Sequence, residues 1–398
     1  MARVFKNDKS TIMNEQYTLL IIGNIYYGHI QRFIKNLKNV NKYVQIDVLS
    51  VAKQNEPVTE DILNLINNVY YFPQVKSSGR FSFLTRLLLQ KLYIHKLLIG
   101  KKYDFINIHY PTYNLYFSIN DFEKASKNIL ITPWGSDVYR TKGLKLFFLK
   151  KLFKRASYIC CNDNRFGDDL KSIFKITDMQ AVKLDIGSET IDYINKYRFI
   201  ISQEEAKISL GYKDKYVITC GYNASEGQQH KEFIRAVSQI RNKLPNNILL
   251  VFPLTYPSGK ETYISSLKEL LDKEKLDYLL FTDYLTVHSL FLLRQSTDLF
   301  VHIQVTDANS ASILEYLLCE KKILNGSWLK YKELCGVHGV PYFEVDNITE
   351  LPKALIDVAS KEKKTIDQKV IDYIVSYGWE AWSHKWNDFF IEKSNNGY

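Results

Sequence analysis

Cysteine is scarce in this chain: Cys160, Cys161, Cys220, Cys319 and Cys335 are an odd number, and none stands in a CxxC pair. Neither a disulfide framework nor a thiolate zinc site is indicated by such a set. Glycine (17) and proline (9) are sparse in 398 residues and no heptad is sustained, which excludes collagen, long disorder and a coiled coil. No run of 18 apolar residues occurs, so no ordinary transmembrane helix is expected. The apolar run Tyr17–Gly23 is too short for a signal peptide and ends without a cleavage site, so a cytoplasmic protein is expected. There is no GxGxxG fingerprint, no cluster of metal-ligand residues and no nucleic-acid-binding signature. No metal, no cofactor and no nucleic-acid partner are therefore expected.

What is present is an ordinary globular composition, 46 % hydrophobic and 24 % charged, on a chain long enough for two domains. The charge is uneven. Lys76–Arg155 holds 16 Lys and Arg against 4 Asp and Glu, a net of +12, so the rest of the chain carries 10 − 12 = −2. A basic segment attracts anionic partners such as phospholipid head groups or phosphorylated substrates.

Short apolar runs rich in Ile, Val, Leu and Tyr alternate with helix-length segments. The strands expected in the first half are Tyr17–Gly23, Tyr43–Ser50, Val69–Phe72, Asp104–His109, Asn128–Pro133, Ser157–Asn162 and Gln180–Asp185. In the second half they are Lys215–Cys220, Ile248–Phe252, Tyr278–Thr282, Leu299–Ile303, Ile323–Asn325 and Tyr342–Val345. Near-continuous apolar strands between helices imply parallel sheets covered on both faces. The fold class expected is α/β: two Rossmann-like domains in tandem, dividing near Ile186–Phe199. Tyr377–Ile391 (YGWEAWSHKWNDFFI) is an aromatic amphipathic helix beyond the second sheet. It covers either its own domain or the first one.

Ligands of open α/β sheets bind beyond the carboxyl ends of the strands, so four loops matter most. The first, GNIYYGHIQRF, has Gly23 and Gly28 flanking a turn before a helix, which suits backbone approach to an anion or is an ordinary strand–helix turn. The second, TPWGSDVYR, holds Asp137, either a helix N-cap or a cleft-facing group for hydroxyl binding or proton transfer. The third, GYNASEGQQHKEF, offers Asn223, His230 and Lys231 to a phosphate, or is a solvated helix start. The fourth, QVTDANSASILEYLL, places Ser310 and Ser312 at a helix start, where free amides suit a diphosphate, with Asp307 before it and Glu315 one turn inside. Ser312-x-x-Glu315 also reads as a capping box.

This arrangement resembles the GT-B glycosyltransferases, especially the family-4 type of bacterial polysaccharide synthesis. Asp307-x7-Glu315 matches the spacing of that family's donor-site acids, with Asp in place of the usual first Glu. WGSDVYR looks like its first-domain loop, LDIGSETIDYI (Leu184–Ile194) like its entry to the interdomain linker, and SYGWEAWSHKW like the helix that crosses back to the first domain. Phe252–Ile264 is similar to fucosamine-type transferases acting on lipid-linked sugars. The Arg and Lys that the family usually carries in loop three are absent; Gln228 stands at the Lys position, with His230 or Lys231 as substitutes.

The resemblance implies an acceptor-binding domain over residues 1–192, a nucleotide-sugar-binding domain over 193–376, and a helix over 377–398 packing on the first domain. The two parallel sheets would face a cleft where chemistry occurs. It implies a glycosyltransferase (hexosyltransferase class) moving a sugar from a nucleotide-sugar donor to a lipid-linked or polysaccharide acceptor in cell-surface glycan synthesis. Asp137 would be catalytic; Gly23, Gly28, Asn223, His230, Lys231, Asp307, Ser310, Ser312 and Glu315 would bind the donor. Helix dipoles and basic side chains, not a metal, would stabilise the leaving diphosphate. A nucleotide-sugar epimerase of the same fold and a non-catalytic accessory subunit remain as alternatives.

One helix points to an anionic membrane surface. In Lys142–Ala156, Leu144, Leu146, Phe148, Leu149, Leu152, Phe153 and Ala156 fall on one arc at 100° per residue. Lys150, Lys151, Lys154 and Arg155 fall opposite, with Phe147 among them. A ring in that position can enter the interface while the cations meet head groups. Peripheral association with the inner face of the membrane is the resulting expectation, against a core-packed helix with a basic outer face.

Overall fold

The computed structural model describes residues 16–52, 58–72, 82–161, 164–257, 259–307, 310–329, 331 and 342–395. Residues 1–15 and 396–398, Lys76 and Arg80 of the basic segment, Asn162 and Cys335 lie outside that set. The chain forms two compact units, Met1–Gly187 with Trp379–Tyr398, and Ser188–Gly378.

In the first unit the strands are β1 (Thr18–Gly23), β2 (Gln45–Ser50), β3 (Asn68–Tyr71), β4 (Phe105–His109), β5 (Asn128–Thr132), β6 (Tyr158–Cys160) and β7 (Ala181–Val182). Between them run α1 (Gly28–Val40), α2 (Glu60–Leu63), α3 (Ser82–Leu98), α4 (Ile119–Ala125), α5 (Ser136–Tyr139), α6 (Gly143–Arg155) and α7 (Asn164–Phe174). The described strands make one parallel sheet in the order β3-β2-β1-β4-β5-β6-β7. The apolar continuity of β1 is explained by burial on both faces. Leu19 and Ile21 pack with Phe33 and Trp386, while Leu20 and Ile22 pack with Ile94, Phe122 and Leu152.

The second unit holds α8 (Glu189–Tyr197), α9 (Gln203–Ser209), β8 (Tyr216–Cys220), α10 (His230–Ile240), β9 (Ile248–Pro253), α11 (Glu261–Lys273) and β10 (Tyr278–Phe281). It continues with α12 (Val287–Ser296), β11 (Leu299–His302), α13 (Ala311–Leu318), β12 (Lys322–Gly326), β13 (Phe343–Val345), α14 (Leu351–Ser360) and α15 (Gln368–Val375). Its described strands are parallel in the order β10-β9-β8-β11-β12-β13. Val301 of β11 packs with Ile218 and Phe252, and Phe300 packs on the opposite face with Tyr316.

Each strand order reverses direction once, between β1 and β4 in one sheet and between β8 and β11 in the other. The chain leaves these neighbouring strands to opposite faces and opens a crevice at their carboxyl ends, where ligands of such sheets bind.

The last helix, α16 (Trp379–Asn395), closes one face of the first sheet. Trp386 Nε1 donates to the Asp185 carbonyl at 2.7 Å, and its ring meets Phe33 edge-on at 4.9 Å. Asn41 Nδ2 donates to Asn387 Oδ1 at 3.0 Å. Among the described residues no helix is long and apolar enough to cross a membrane.

Candidate functional site

The crevice of the second unit is a cavity of about 340 Å³ lined by Tyr222, Tyr256, Tyr284, Arg294, Ser310, Ser312 and Glu315 among others. Its floor is the start of α13. Ser310 is the N-cap, and its hydroxyl accepts the Ser312 amide at 3.2 Å. Glu315 does not close a capping box with Ser312. Its Oε2 accepts from Arg294 Nε at 3.0 Å, which leaves the other carboxylate oxygen to line the cavity. Arg294 also donates to the Tyr316 hydroxyl at 3.1 Å and the Ser312 hydroxyl at 3.3 Å, and lies 4.6 Å from the Tyr316 ring. Burial opposes the Arg294 charge, but Tyr316 and Glu315 outweigh it and raise its pKa. The cation is thus retained in the interior because it is paired and each of its three nitrogens donates a hydrogen bond.

Loop three turns at Gly221, whose φ is +67°. A Cβ there would come within 2.7 Å of His230 Nε2 and 2.8 Å of Gln228 Oε1, so only glycine fits. Asn223 shapes the loop by accepting the Ser225 amide at 2.8 Å, and it also bonds the Tyr256 hydroxyl. His230 opens α10 fully buried, with Nδ1 3.1 Å from the Tyr263 hydroxyl. Burial pushes its pKa down to about 3, so His230 is neutral and does not replace the missing cation. It can still offer Nε2, which has no hydrogen-bond partner among the described residues. Lys231 is the cation of this loop, with its ammonium 5.5 Å from the Tyr263 ring centre.

Asp307 does not line this cavity. Its carboxylate is taken up by the Tyr331 hydroxyl, by Tyr222 at 3.4 Å and by His302 Nε2 at 3.2 Å. Through Tyr331 it is tied to the start of α13, since the Tyr331 hydroxyl also accepts the Ser310 amide at 2.8 Å.

A second constellation gathers in the first unit beyond β1, β4 and β5, around Trp134. Its ring lies 4.6 Å from His29 and 6.2 Å from His109, and its amide donates to Asp137 Oδ1 at 2.9 Å. Asp137 is not an N-cap: it sits inside α5 and reaches back to Trp134. Its Oδ2 has no partner among the described residues, and burial raises its pKa to about 6 against the pull of nearby backbone amides. His109 is buried with both ring nitrogens unpartnered among the described residues; burial, then the charge of His29, lowers its pKa to about 3. Asn107 accepts from Thr132 at 2.8 Å and leaves its Nδ2 free among the described residues. These buried polar atoms gather at one end of the sheet, a set able to exchange hydrogen bonds with hydroxyl groups.

Gly23 and Gly28 belong to this unit. A Cβ on Gly23 would meet Ile30 at 2.4 Å and His109 at 3.3 Å, so this glycine serves the packing of α1 on the sheet. Gly28 is the first residue of α1, whose amides have no side-chain cap.

Of the residues expected at the donor, Ser310, Ser312 and Glu315 come together, with Asn223, His230 and Lys231 on the neighbouring loop. Arg294 and His109 were not expected. Arg294 is a lone cation in the apolar stretch HSLFLLRQ, a pattern that signals a buried, paired charge. Asn107 and His109 alternate on one face of an otherwise apolar strand, which marks a polar site at its carboxyl end.

The helix expected at a membrane departs from expectation at both ends. Leu144, expected on the inner arc of α6, is 71 % exposed, in the first turn of a helix that begins at Gly143. Arg155, expected to face lipid, is held by Glu123, which accepts from its Nε at 2.7 Å. Phe147 is half exposed, with the Lys151 ammonium 4.5 Å from its ring centre, and Lys154 is exposed while Lys150 is half-buried.

Residues 18–163 match the family model described as glycosyl transferase 4-like. No curated protein sequence matches the chain. Solved structures with the same fold include a glycosyltransferase from Rickettsia africae ESF-5, at 15 % identity, TM-score 0.64, covering 96 % of this chain and 100 % of that one. The sucrose-phosphate synthase of Thermosynechococcus elongatus superposes with a TM-score of 0.67 at 10 % identity, covering 96 % and 100 %. HepE from Anabaena, solved with UDP and glucose, gives 0.59 at 14 % identity, covering 96 % and 98 %. Residues 18–163 thus match a glycosyl transferase 4-like domain, and the two parallel-sheet units give the chain the GT-B fold of these solved structures.

Proposed function

We propose that this glycosyltransferase moves a sugar from a nucleotide-sugar donor held by the second unit to a lipid-linked or glycan acceptor held by the first, in building a cell-surface glycan. The observation that carries the donor assignment is the Arg294–Glu315–Ser312 set at the mouth of α13, in a cavity at the β8/β11 reversal. A carboxylate fixed by a buried guanidinium is a rigid acceptor for two neighbouring hydroxyls of a ribose or a sugar. The amides that begin α13 favour the negative charge growing on the leaving diphosphate. HepE, of the same fold, is solved with UDP-glucose, which supports a donor of that chemical class here.

In the first unit, Asp137 ionises near neutrality and is suited to take a proton from an acceptor hydroxyl. Neutral His109 and Asn107 would orient that hydroxyl. A lipid-linked acceptor requires the protein to meet a membrane, and Phe147, Lys150, Lys151 and Lys154 of α6 support peripheral contact with anionic head groups.

The test is to incubate the purified chain with a panel of nucleotide sugars, with and without membrane lipid extract, and to measure nucleoside diphosphate release. Release that needs acceptor lipid or glycan is the expected result. Sugar conversion without an acceptor would indicate an epimerase, and no turnover of any donor would favour an accessory role.

A further inference from the structure

We propose that α3 is the main contact of this protein with an anionic bilayer, sharing one face with α6. The inference rests on the membrane reading above and assigns its principal element to a different helix. The inner side of α3 is ordinary: Ile94 and Leu98 are buried in the sheet's core. The outer side is not. Leu84, Leu88 and Leu92 stand four residues apart, on one face of the helix, and are 59 %, 57 % and 53 % exposed. A helix packed against a sheet by one face normally turns polar residues to water on the other. Here a leucine stripe faces water, flanked by exposed Lys91 and Lys96, and Ser82–Leu98 contains no Asp or Glu.

The neighbouring α6 repeats the composition. Gly143–Arg155 also lacks acidic residues and exposes Leu144 and Phe147. Both helices pack on the same short 3-10 turn, Tyr113–Ser118. From α3, Gln90 accepts from Asn114 at 2.6 Å; from α6, Phe148 meets Phe117 at 4.9 Å and Lys145 lies 5.6 Å from the Tyr113 ring centre. Two apolar stripes with lysine borders therefore flank one turn.

Charge selects the occupant. Neither helix carries an acidic residue and both expose lysines, Lys91 and Lys96 on α3 and Lys151 and Lys154 on α6, so a second copy would bring like charge against like charge. An anionic bilayer accepts both features at once, leucines into the acyl boundary and lysines at the head groups.

Full-length protein sedimented with vesicles tests this. Phosphatidylcholine vesicles are compared with vesicles that also contain phosphatidylglycerol, at low and high salt. Wild type should bind the anionic vesicles and release with salt. Leu88→Ser with Leu92→Ser should weaken binding by roughly tenfold or more, since two apolar side chains no longer leave water. Phe147→Ser should weaken it less. Because Leu88 and Leu92 are exposed, nucleotide binding and melting temperature should not change. If wild type binds while the double variant binds equally well, the assignment to α3 is overturned and the membrane reading stands. Wild type that ignores anionic vesicles at low salt overturns both, and a wild-type dimer dispersed by the double variant would show that a second copy covers the stripe.

Discussion

Arg294 Nε and Glu315 Oε2 lie 3.0 Å apart, and both side chains are almost wholly buried. Neither residue tolerates loss of the other. Arg294→Leu would leave a buried carboxylate without its counter-charge, and a loss of about 3–5 kcal/mol in unfolding free energy is expected by denaturant titration. Arg294→Lys keeps the charge but not the fork that holds Glu315 and Ser312 together. That variant should fold, and its KM for the donor should rise with kcat little changed.

Asp137 supplies a pH signature. Its carboxyl is raised by burial to about 6 from 3.8, so the folded state favours the protonated form. The stability this brings is fully present below pH 4 and is lost as pH rises through about 6. Asp137→Asn should abolish that slope, so melting curves of the two proteins should diverge between pH 4 and 7, with the wild type losing ground. If Asp137 is the base, wild-type kcat/KM should climb through the same interval and the Asn variant should lose about 10²-fold or more. A pH-rate profile checks both.

His109 makes a contrasting case, because it is neutral throughout that range. His109→Phe keeps the ring that packs on Phe33 at 5.0 Å and removes two unbonded nitrogens from the interior. Thermal stability should hold or rise, since buried polar atoms without partners are costly. Activity should fall at every pH alike, measured as kcat/KM with a fixed donor.

Trp386 anchors α16 to the first sheet through the Asp185 carbonyl and Phe33. Trp386→Ala should cost about 3–5 kcal/mol by cavity formation and loss of burial. Chemical unfolding followed by circular dichroism measures it. Expression of a chain truncated before Trp379 should give aggregated protein, because Phe33, Phe105 and Tyr17 would lose their cover.

Strands and their order of appearance were legible because burial on both faces leaves an apolar run that no amphipathic helix imitates. Tyr216–Cys220 and Leu299–His302 were recognisable in this way. The edge strand Ala181–Val182 is shorter than the expected Gln180–Asp185, since only β6 pairs with it. The helix start at Ser310 and Ser312, with Glu315 one turn inside, was legible because a helix start after a buried strand has a local signature. Arg294 was not, for its partner is 21 residues away and only the fold joins them. The burial of His230 was equally hidden: a histidine before a lysine reads as a solvated helix start until Gly221 folds against it. The outward leucines of α3 look like core residues in sequence, and only the docking of Ile94 and Leu98 decides which face meets water.

On the proposed function, the cavity at the start of α13 holds the nucleotide of a sugar donor. Titration calorimetry of full-length protein with nucleoside diphosphates tests it most directly, using wild type and Glu315→Gln. One nucleoside diphosphate should bind the wild type at a single site, and the variant should bind it about 10- to 150-fold more weakly, the equivalent of one charged hydrogen bond, while also melting earlier because Arg294 loses its counter-charge. A variant that binds as tightly as wild type and only melts earlier, or a wild type that binds no nucleotide, would contradict it.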